Sequence, residues 1–140
     1  MTHRFVEEIV SIAEASLGGL RGRSALLIGP EEQRQPYRVL LHQAGMKYIY
    51  QEDTHYSVPA IIPHVQLIMN LPVSSTPLHP IPQLTASAIA QGCIGRRSPL
   101  LIFDLAESTS VEELAGLLPA VCLYTPDDLR RILNKDQVQI

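Results

Sequence analysis

The chain has 140 residues, of which 46% are hydrophobic and 18% charged, with a formal net charge of −3 and no tryptophan. The small negative charge argues against nucleic-acid or anionic-membrane binding, and no apolar run is long enough to span a bilayer. This composition predicts one globular, cytoplasmic domain. Cys93 and Cys122 have no neighbouring metal-ligand pattern, so we expect both to be small buried core residues.

Helical and strand patterns alternate along the chain. The predicted elements, in chain order, are a helix ending at Gly18-Gly19, a strand over 25–28, a helix over 37–44, strands over 47–51 and 65–71, a helix over 83–91, a strand over 99–103, a helix over 111–117, a strand over 120–124 and a helix over 129–134. Pro36 is interpreted as the first-turn residue of its helix and Thr125 as an N-cap. We predict irregular structure over 53–63 and a proline-rich loop over 72–82.

Apolar strands that alternate with helices are typical of a parallel sheet covered on both faces. We therefore predict an α/β, Rossmann-like three-layer fold with a mostly parallel sheet of about five strands. Residues 1–140 are predicted to form a single domain. Within it we expect an N-terminal helix over 1–20, a sheet core over 21–128, and a C-terminal helix and tail over 129–140.

The most informative segment is Ser24–Glu32, which reads SALLIGPEE. An apolar strand followed by Gly29 resembles the start of a dinucleotide-binding turn. The second glycine of that fingerprint, which lets the backbone approach a pyrophosphate, is replaced by Glu31, and Glu32 follows. Two carboxylates there would repel a phosphate. The segment indicates a nucleotide-binding scaffold whose phosphate site is degraded.

Other polar residues near this turn have two interpretations each. The acids at 31 and 32 would either hold a cation such as Mg²⁺ or complement the dipole of the following helix. Arg34 and Arg38 would either grip a phosphate or lie on a solvated helix face. Asp53 follows the second strand, where an acid would bind a ribose hydroxyl or cap a loop. In each case we favour the structural interpretation.

Asp104 ends the most apolar strand, at the sheet edge where α/β proteins bind ligands. With Ser108, Thr109 and Ser110 it would either bind a small molecule or cap a helix beginning near Val111, and we favour capping. Glu112-Glu113 then fits the first turn of that helix. The scattered histidines, His42, His55, His64 and His79, show no metal-ligand spacing, and we predict no metal site.

Tyr48 and Tyr50 alternate in the second strand, and Tyr56 follows it. If this strand lies at the edge of the sheet, its unpaired backbone is a place where a partner strand can add. The opposing interpretation is an edge protected by Pro59 and Pro63. The sequence leaves both open.

Two stretches resemble one family. They are 15–29, ASLGGLRGRSALLIG, and 96–106, RRSPLLIFDLA, which continues to LPAVCLYTPDDL at 118–129. Together they resemble the nicotinamide-nucleotide-binding domain of glutamyl-tRNA reductase, an enzyme of tetrapyrrole synthesis. The resemblance implies a Rossmann fold and NADP at the positions of Gly29, Pro30, Glu31, Asp53, Thr54 and Asp104.

The departures from the family pattern indicate loss of function. The family's Gly-x-Gly turn is Gly29-Pro30-Glu31, and its Asn-Arg-Thr after the second strand corresponds to 53–55, Asp-Thr-His, without an arginine. The next helix and strand are shortened to about a dozen residues, whereas a βαβ unit needs roughly thirty. The family's Ser-Thr-Gly is replaced at 71–74 by Leu-Pro-Val-Ser. The Cys-Asn-Arg-Thr-Glu motif of its catalytic domain does not occur, and we expect that the dimerisation domain is also lacking.

These observations favour a non-catalytic, glutamyl-tRNA-reductase-like domain that serves as a structural or regulatory protein-binding subunit, with a link to tetrapyrrole or haem metabolism implied by the resemblance. It would need no cofactor and would bind neither nucleic acid nor membrane. The alternative is a minimal NAD(P)- or nucleotide-binding module that works with a separate catalytic partner. A small enzyme with a new site near Asp104 is the least supported, since no nucleophile–base pair is present.

Overall fold

The computed structural model describes residues 3–72, 84–107 and 109–138. The strands are β1 (Ser24–Ile28), β2 (Tyr48–Glu52), β3 (Leu67–Asn70), β4 (Leu100–Asp104) and β5 (Val121–Tyr124). The α-helices are α1 (His3–Leu17), α2 (Glu31–Gln43), α3 (Val58–Ile61), α4 (Ala86–Gly92) and α5 (Pro126–Val138), with 3-10 helices at Ile62–His64 and Glu113–Leu117. The strands form one parallel sheet in the order β2-β1-β3-β4-β5. The predicted α/β, Rossmann-like architecture is confirmed.

Two apolar clusters fill the space between the sheet and its helices. One joins alternate strand residues such as Leu27, Met69 and Phe103 to α1, α2 and α5. The other joins the intervening residues, such as Ile68 and Ile102, to α3 and α4. Every residue of β1, β3 and β4 is buried. This is why the three central strands read as continuous apolar runs rather than as alternating ones.

The connection from β2 to β3 is short, as the resemblance implied. It contains only α3 and the 3-10 helix at Ile62–His64. In the six-stranded doubly wound order 3-2-1-4-5-6, a third strand covers the outer side of the second. Within the described part of this chain, no strand occupies that place, so β2 lies at the sheet edge.

The predicted strands lie within two residues of the observed ones, but the start of α2 was wrong. The helix begins at Glu31, with Pro30 as its extended N-cap, and Pro36 lies inside it rather than in its first turn. Acids in the first turn favour that earlier start. The helix tolerates Pro36 at the loss of the bond that its N–H would have made to Glu32 O.

Other boundaries also differ from prediction. The segment predicted to be irregular over 53–63 contains α3, and α4 begins at Ala86 because Thr85 Oγ1 accepts a hydrogen bond from Ala88 N. The Thr125 cap is confirmed, although α5 begins at Pro126. Most of the proline-rich loop, 73–83, lies outside the described residues.

The two cysteines differ from each other. Cys93 is half-buried, and burial raises the pKa of its thiol above the usual value. Cys122 is exposed, so the prediction that it belongs to the core was wrong. It lies on β5, the outermost strand on the side opposite β2, where the covering layers end.

Candidate functional site

The strand order reverses between β1 and β3, and ligands of open α/β sheets bind at the carboxyl ends of strands beside such a point. The turn at Gly29-Pro30 follows β1, and Asp53 follows β2. Asn70 and Asp104 end β3 and β4. The topology therefore places every sequence-predicted site position along one edge of the sheet.

The turn after β1 depends on Gly29. Its φ is +141°, and a Cβ added there would lie 3.0 Å from the Cβ of Leu71, at the end of the neighbouring strand. Gly29 N donates to Glu52 O at 2.9 Å, and Leu71 N donates to Ile28 O at 2.8 Å. Gly29 is thus required by backbone conformation and by close packing, independently of any ligand.

The amino end of α2 presents acids rather than an empty anion site. Glu31 and Glu32 lie in the first turn, and Pro30, at the N-cap, has no N–H to offer. Gln33 N and Arg34 N both donate to Pro30 O at 3.0 Å. The carboxylates complement the positive end of the helix, the structural interpretation favoured from sequence.

Both arginines of α2 are held by these acids. Arg38 donates to the two carboxylate oxygens of Glu31 at 2.9 and 3.2 Å. Arg34 Nη2 lies 3.4 Å from Glu31 Oε1 and 3.2 Å from Asp53 Oδ1. The hydrogen bond from Arg38 is the main cause that lowers the pKa of Glu31. Glu31 is therefore ionised at neutral pH, and its charge offsets the cations that a phosphate would need.

A second polar cluster crosses the carboxyl ends of β3 and β4. Asn70 Nδ2 donates to Asp104 Oδ1 at 3.2 Å, and His55 Nε2 lies 2.8 Å from Asn70 Oδ1. An amide oxygen only accepts, so His55 Nε2 is the donor in this arrangement and carries the ring proton. Asn70 and Asp104 are buried. The row therefore leads from a fully buried carboxylate to a half-buried imidazole.

Asp104 also organises the loop that follows β4. Its Oδ2 accepts from Ser110 N and Val111 N, each at 2.8 Å, and its Oδ1 accepts from Ala106 N at 3.3 Å. The predicted capping role is thus correct for the loop. The predicted helix start near Val111 was wrong, because the 3-10 helix begins at Glu113.

Glu112 also has a different role from the predicted one. Its carboxylate accepts from Ala86 N at 2.7 Å, at the beginning of α4, while Glu113 lies in the first turn of the 3-10 helix. Of the three hydroxyl residues grouped with Asp104, Ser108 lies outside the described residues. Ser110 contributes its backbone amide.

The structure divides the predicted positions into two groups. Glu31 and Asp53 meet through Arg34, beside the turn at Gly29-Pro30. Asp104 belongs instead to the row with Asn70 and His55. Thr54 is exposed, and its hydroxyl accepts from Tyr56 N at 3.4 Å. Whether a ligand contacts any of these residues stays a prediction.

Sequence reasoning missed Asn70 and did not connect His55 to it. An asparagine that ends the otherwise apolar strand Leu67–Asn70 was the available signal, since a buried amide needs partners. Among the described residues, no group of three or more His, Cys, Asp or Glu side chains is arranged to hold a metal ion. His79 lies outside the described range. No described helix is long and apolar enough to cross a membrane.

Known proteins resemble the chain over nearly all of its length. Glutamyl-tRNA reductases from Methanospirillum hungatei, Sulfurihydrogenibium sp. and Methanoregula boonei are 30%, 24% and 28% identical over 93%, 91% and 88% of this chain. The solved glutamyl-tRNA reductase from Methanopyrus kandleri superposes with a TM-score of 0.73 over 94% of this chain, at 21% identity. The chain is homologous to glutamyl-tRNA reductases over a single Rossmann-like region.

The glutamyl-tRNA-reductase-like chain spans about a third of the length of these relatives, 35%, 32% and 34% respectively, and 37% of the Methanopyrus kandleri chain. A dipicolinate synthase from Bacillus halodurans shares the fold, with a TM-score of 0.57 at 15% identity over 96% of this chain and 52% of its own. No family model matches the chain.

Proposed function

We propose that this glutamyl-tRNA-reductase-like domain has no redox catalysis of its own and works by binding protein, in a structural or regulatory role. The observation that carries the proposal is the bidentate pair between Glu31 and Arg38 at the amino end of α2. A dinucleotide-binding turn places a diphosphate at such a helix end. Here that end holds a carboxylate, and the nearby cations are already paired with acids.

The backbone supports the same proposal. A diphosphate at a helix end is bound by free N–H groups and by close approach of glycine backbone. Pro30 removes one donor, and Glu31 introduces a side chain at the second-glycine position. The edge position of β2 also removes the strand that would extend the carboxyl edge beyond Asp53.

Exposed apolar side chains supply candidate protein-binding surfaces. Tyr48 on β2 is 58% exposed, and Leu117, after β4, is 79% exposed. The relationship to glutamyl-tRNA reductases supports a place in tetrapyrrole metabolism, in which the partner would be a protein of that pathway.

Calorimetric titration with NADPH and with NADP⁺ tests the absence of a dinucleotide site. We expect no binding to the wild-type chain at micromolar concentrations, and sub-micromolar binding would overturn the proposal. The variant Glu31→Gly restores the second glycine and releases Arg38, and Glu32→Gly is its matched control. Pull-down of the native protein, with mass spectrometry of its partners, tests the protein-binding role. A protein that is recovered only with NADP⁺ and no partner would contradict that role.

A nucleotide-binding module with a separate catalytic partner is the second candidate. It is favoured by the row His55–Asn70–Asp104, which points an oriented imidazole along the edge where such folds bind ligands. Native mass spectrometry of freshly purified protein tests it directly. A nucleotide retained at about one per chain, and lost in Asn70→Ala but not in Thr54→Ala, would support this candidate over the first.

A further inference from the structure

The outer edge of β2 is built to accept another strand. Among the described residues, none pairs with that edge, and β2 contains no proline; Lys47, just before it, is the nearest lysine. Natural edge strands are usually protected by proline, by inward charge or by a covering segment. Pro59 and Pro63, considered above as protection, lie on α3 and the following 3-10 helix instead.

The backbone groups that face outward can be assigned. Gly29 N donates to Glu52 O, so Glu52 directs its hydrogen-bonding groups toward β1. Residues alternate along a parallel strand, and Tyr48 and Tyr50 therefore do the same. The amide and carbonyl groups of Ile49 and Gln51 point away from the sheet, toward the open edge.

A groove runs beside this edge, between β2 and α2. Its volume is about 470 Å³, and its lining includes Val39, His42, Lys47, Tyr48 and Gln51. Val39 and Tyr48 are 45% and 58% exposed. The groove thus joins unpaired backbone to apolar surface, the combination that strand addition requires.

We propose that the edge of β2 pairs with β2 of a second copy of this chain, antiparallel, about a two-fold axis at Tyr50. Ile49 then exchanges both backbone hydrogen bonds with Gln51 of the second copy, and the same exchange occurs again across the axis. Tyr50 faces its own counterpart in a non-hydrogen-bonded pair, where side chains lie closest. The two sheets become one continuous sheet of ten strands.

Charge selects both the partner and the register. With the axis at Tyr50, Lys47 of each copy lies opposite Asp53 of the other, giving two opposite-charge pairs. An axis at Ile49 places Lys47 opposite Gln51, and an axis at Gln51 places it opposite His55. Lys47 and Asp53 are both exposed. The strand is therefore complementary to itself in a single one of these registers, which favours a second copy over an unrelated strand.

This inference rests on the proposed function only in that the chain binds protein, and it names the partner. Light scattering coupled to size exclusion tests it on the full chain. We expect a mass of twice 15.5 kDa for the wild type. Gln51→Pro removes an outward N–H without breaking a bond to β1, and it should weaken dimerisation at least tenfold. Gln51→Ala loses the same side chain, keeps that N–H and should remain a dimer.

Cysteine cross-linking tests the register and does not depend on the proline variant. In a Cys93→Ser, Cys122→Ser background, Tyr50→Cys should form an intermolecular disulfide on mild oxidation, because the two copies of residue 50 face each other. Tyr48→Cys is the control, since its counterpart lies four residues away along the strand, about 13 Å. A folded chain that stays monomeric at millimolar concentration would overturn the proposal, and so would a dimer equally stable in Gln51→Pro.

The two proposals fail separately. NADPH binding by a chain that still dimerises through Tyr50 contradicts the proposed function and leaves the dimer supported. A monomer that binds no dinucleotide and captures another protein overturns the dimer alone.

Discussion

Gly29 and Leu71 approach so closely that no side chain fits between them: an added Cβ at Gly29 would lie 3.0 Å from the Leu71 Cβ. The contact joins the turn after β1 to the end of β3, at the point where the strand order reverses. The family resemblance predicted Gly29 as a remnant of a nucleotide site. Its packing gives a sufficient reason for glycine whether or not a nucleotide binds.

Gly29→Ala is therefore expected to destabilise the chain in the absence of any nucleotide. A non-glycine residue at φ +141° is strained, and its Cβ would press on Leu71. Together these effects should lower the free energy of unfolding by about 2–4 kcal/mol. Urea unfolding followed by circular dichroism measures the change.

Gly95→Ala separates the two causes. Gly95 also has a positive φ, +76°, but an added Cβ there has no atom within 4 Å. Its variant should lose only the conformational part, about 1 kcal/mol. Equal losses in the two variants would show that packing against Leu71 is unimportant.

Asp104→Asn tests the polar row at the carboxyl edge. The Asp104 carboxylate accepts from three backbone amides and from Asn70, and it is fully buried. An amide in its place brings two hydrogens toward groups that are themselves donors. We expect a loss of about 2–4 kcal/mol in chemical unfolding. Asp53→Asn, at the exposed end of β2, should cost less than about 1 kcal/mol.

The parts of the fold that could be predicted are those governed by periodic burial. Residues such as Leu27, Ile68 and Phe103 belong to continuous apolar runs, so the central strands and their parallel arrangement followed from the sequence. The edge position of β2 also followed, from the shortness of the connection to β3. Helix starts were harder, because Pro36 is equally compatible with a first turn and with a tolerated interior position.

The candidate site was predictable by position but not by pairing. Strand ends such as Asp104 are visible in a sequence, and parallel topology brings them to one edge. That Glu31 binds Arg38, or that Asn70 links His55 to Asp104, depends on side-chain geometry across elements. No periodic pattern encodes such contacts. The same is true of Glu112, whose carboxylate serves α4 from 26 residues away.

Arg96 was not singled out in the sequence, yet it ties three segments together at the amino edge of the sheet. Its guanidinium donates to Ile62 O at 2.8 Å and Val65 O at 2.6 Å, before β3, and to Ser98 O at 2.8 Å and Pro99 O at 3.0 Å, before β4. A lysine ammonium cannot reach carbonyls on both sides. Arg96→Lys should lower the unfolding free energy by about 2–3 kcal/mol.

The neighbouring Arg97 provides the control for this prediction. It is exposed, and Arg97→Lys should change stability by less than about 0.5 kcal/mol. Thermal unfolding of the two variants under identical conditions makes the comparison. A similar midpoint for both would mean that the carbonyl contacts of Arg96 contribute little.

Asp128 gives the start of α5 a pH dependence. Its carboxylate accepts from Thr125 N at 3.0 Å, and its own N–H donates to Thr125 Oγ1 at 3.1 Å, a reciprocal cap. The backbone hydrogen bond from Thr125 is the main cause that lowers the pKa of Asp128, and Arg131 contributes further. The folded state thus favours the ionised carboxylate more than the unfolded chain does.

A lowered pKa in the folded state means that the stabilisation is fully present above the unfolded pKa of Asp, about 3.9, and is lost as the pH falls through the lower folded value. Asp128→Asn should therefore be less stable than the wild type at pH 7 by about 1 kcal/mol, the usual contribution of a cap. The difference should shrink as the pH falls below about 4, because protonation removes the charge that the variant already lacks. Unfolding midpoints measured from pH 7 to pH 2 test this. Asp127→Asn, whose carboxylate pairs with Arg130 but makes no such cap, is the control; a wild-type advantage that persists undiminished at pH 2 would contradict the prediction.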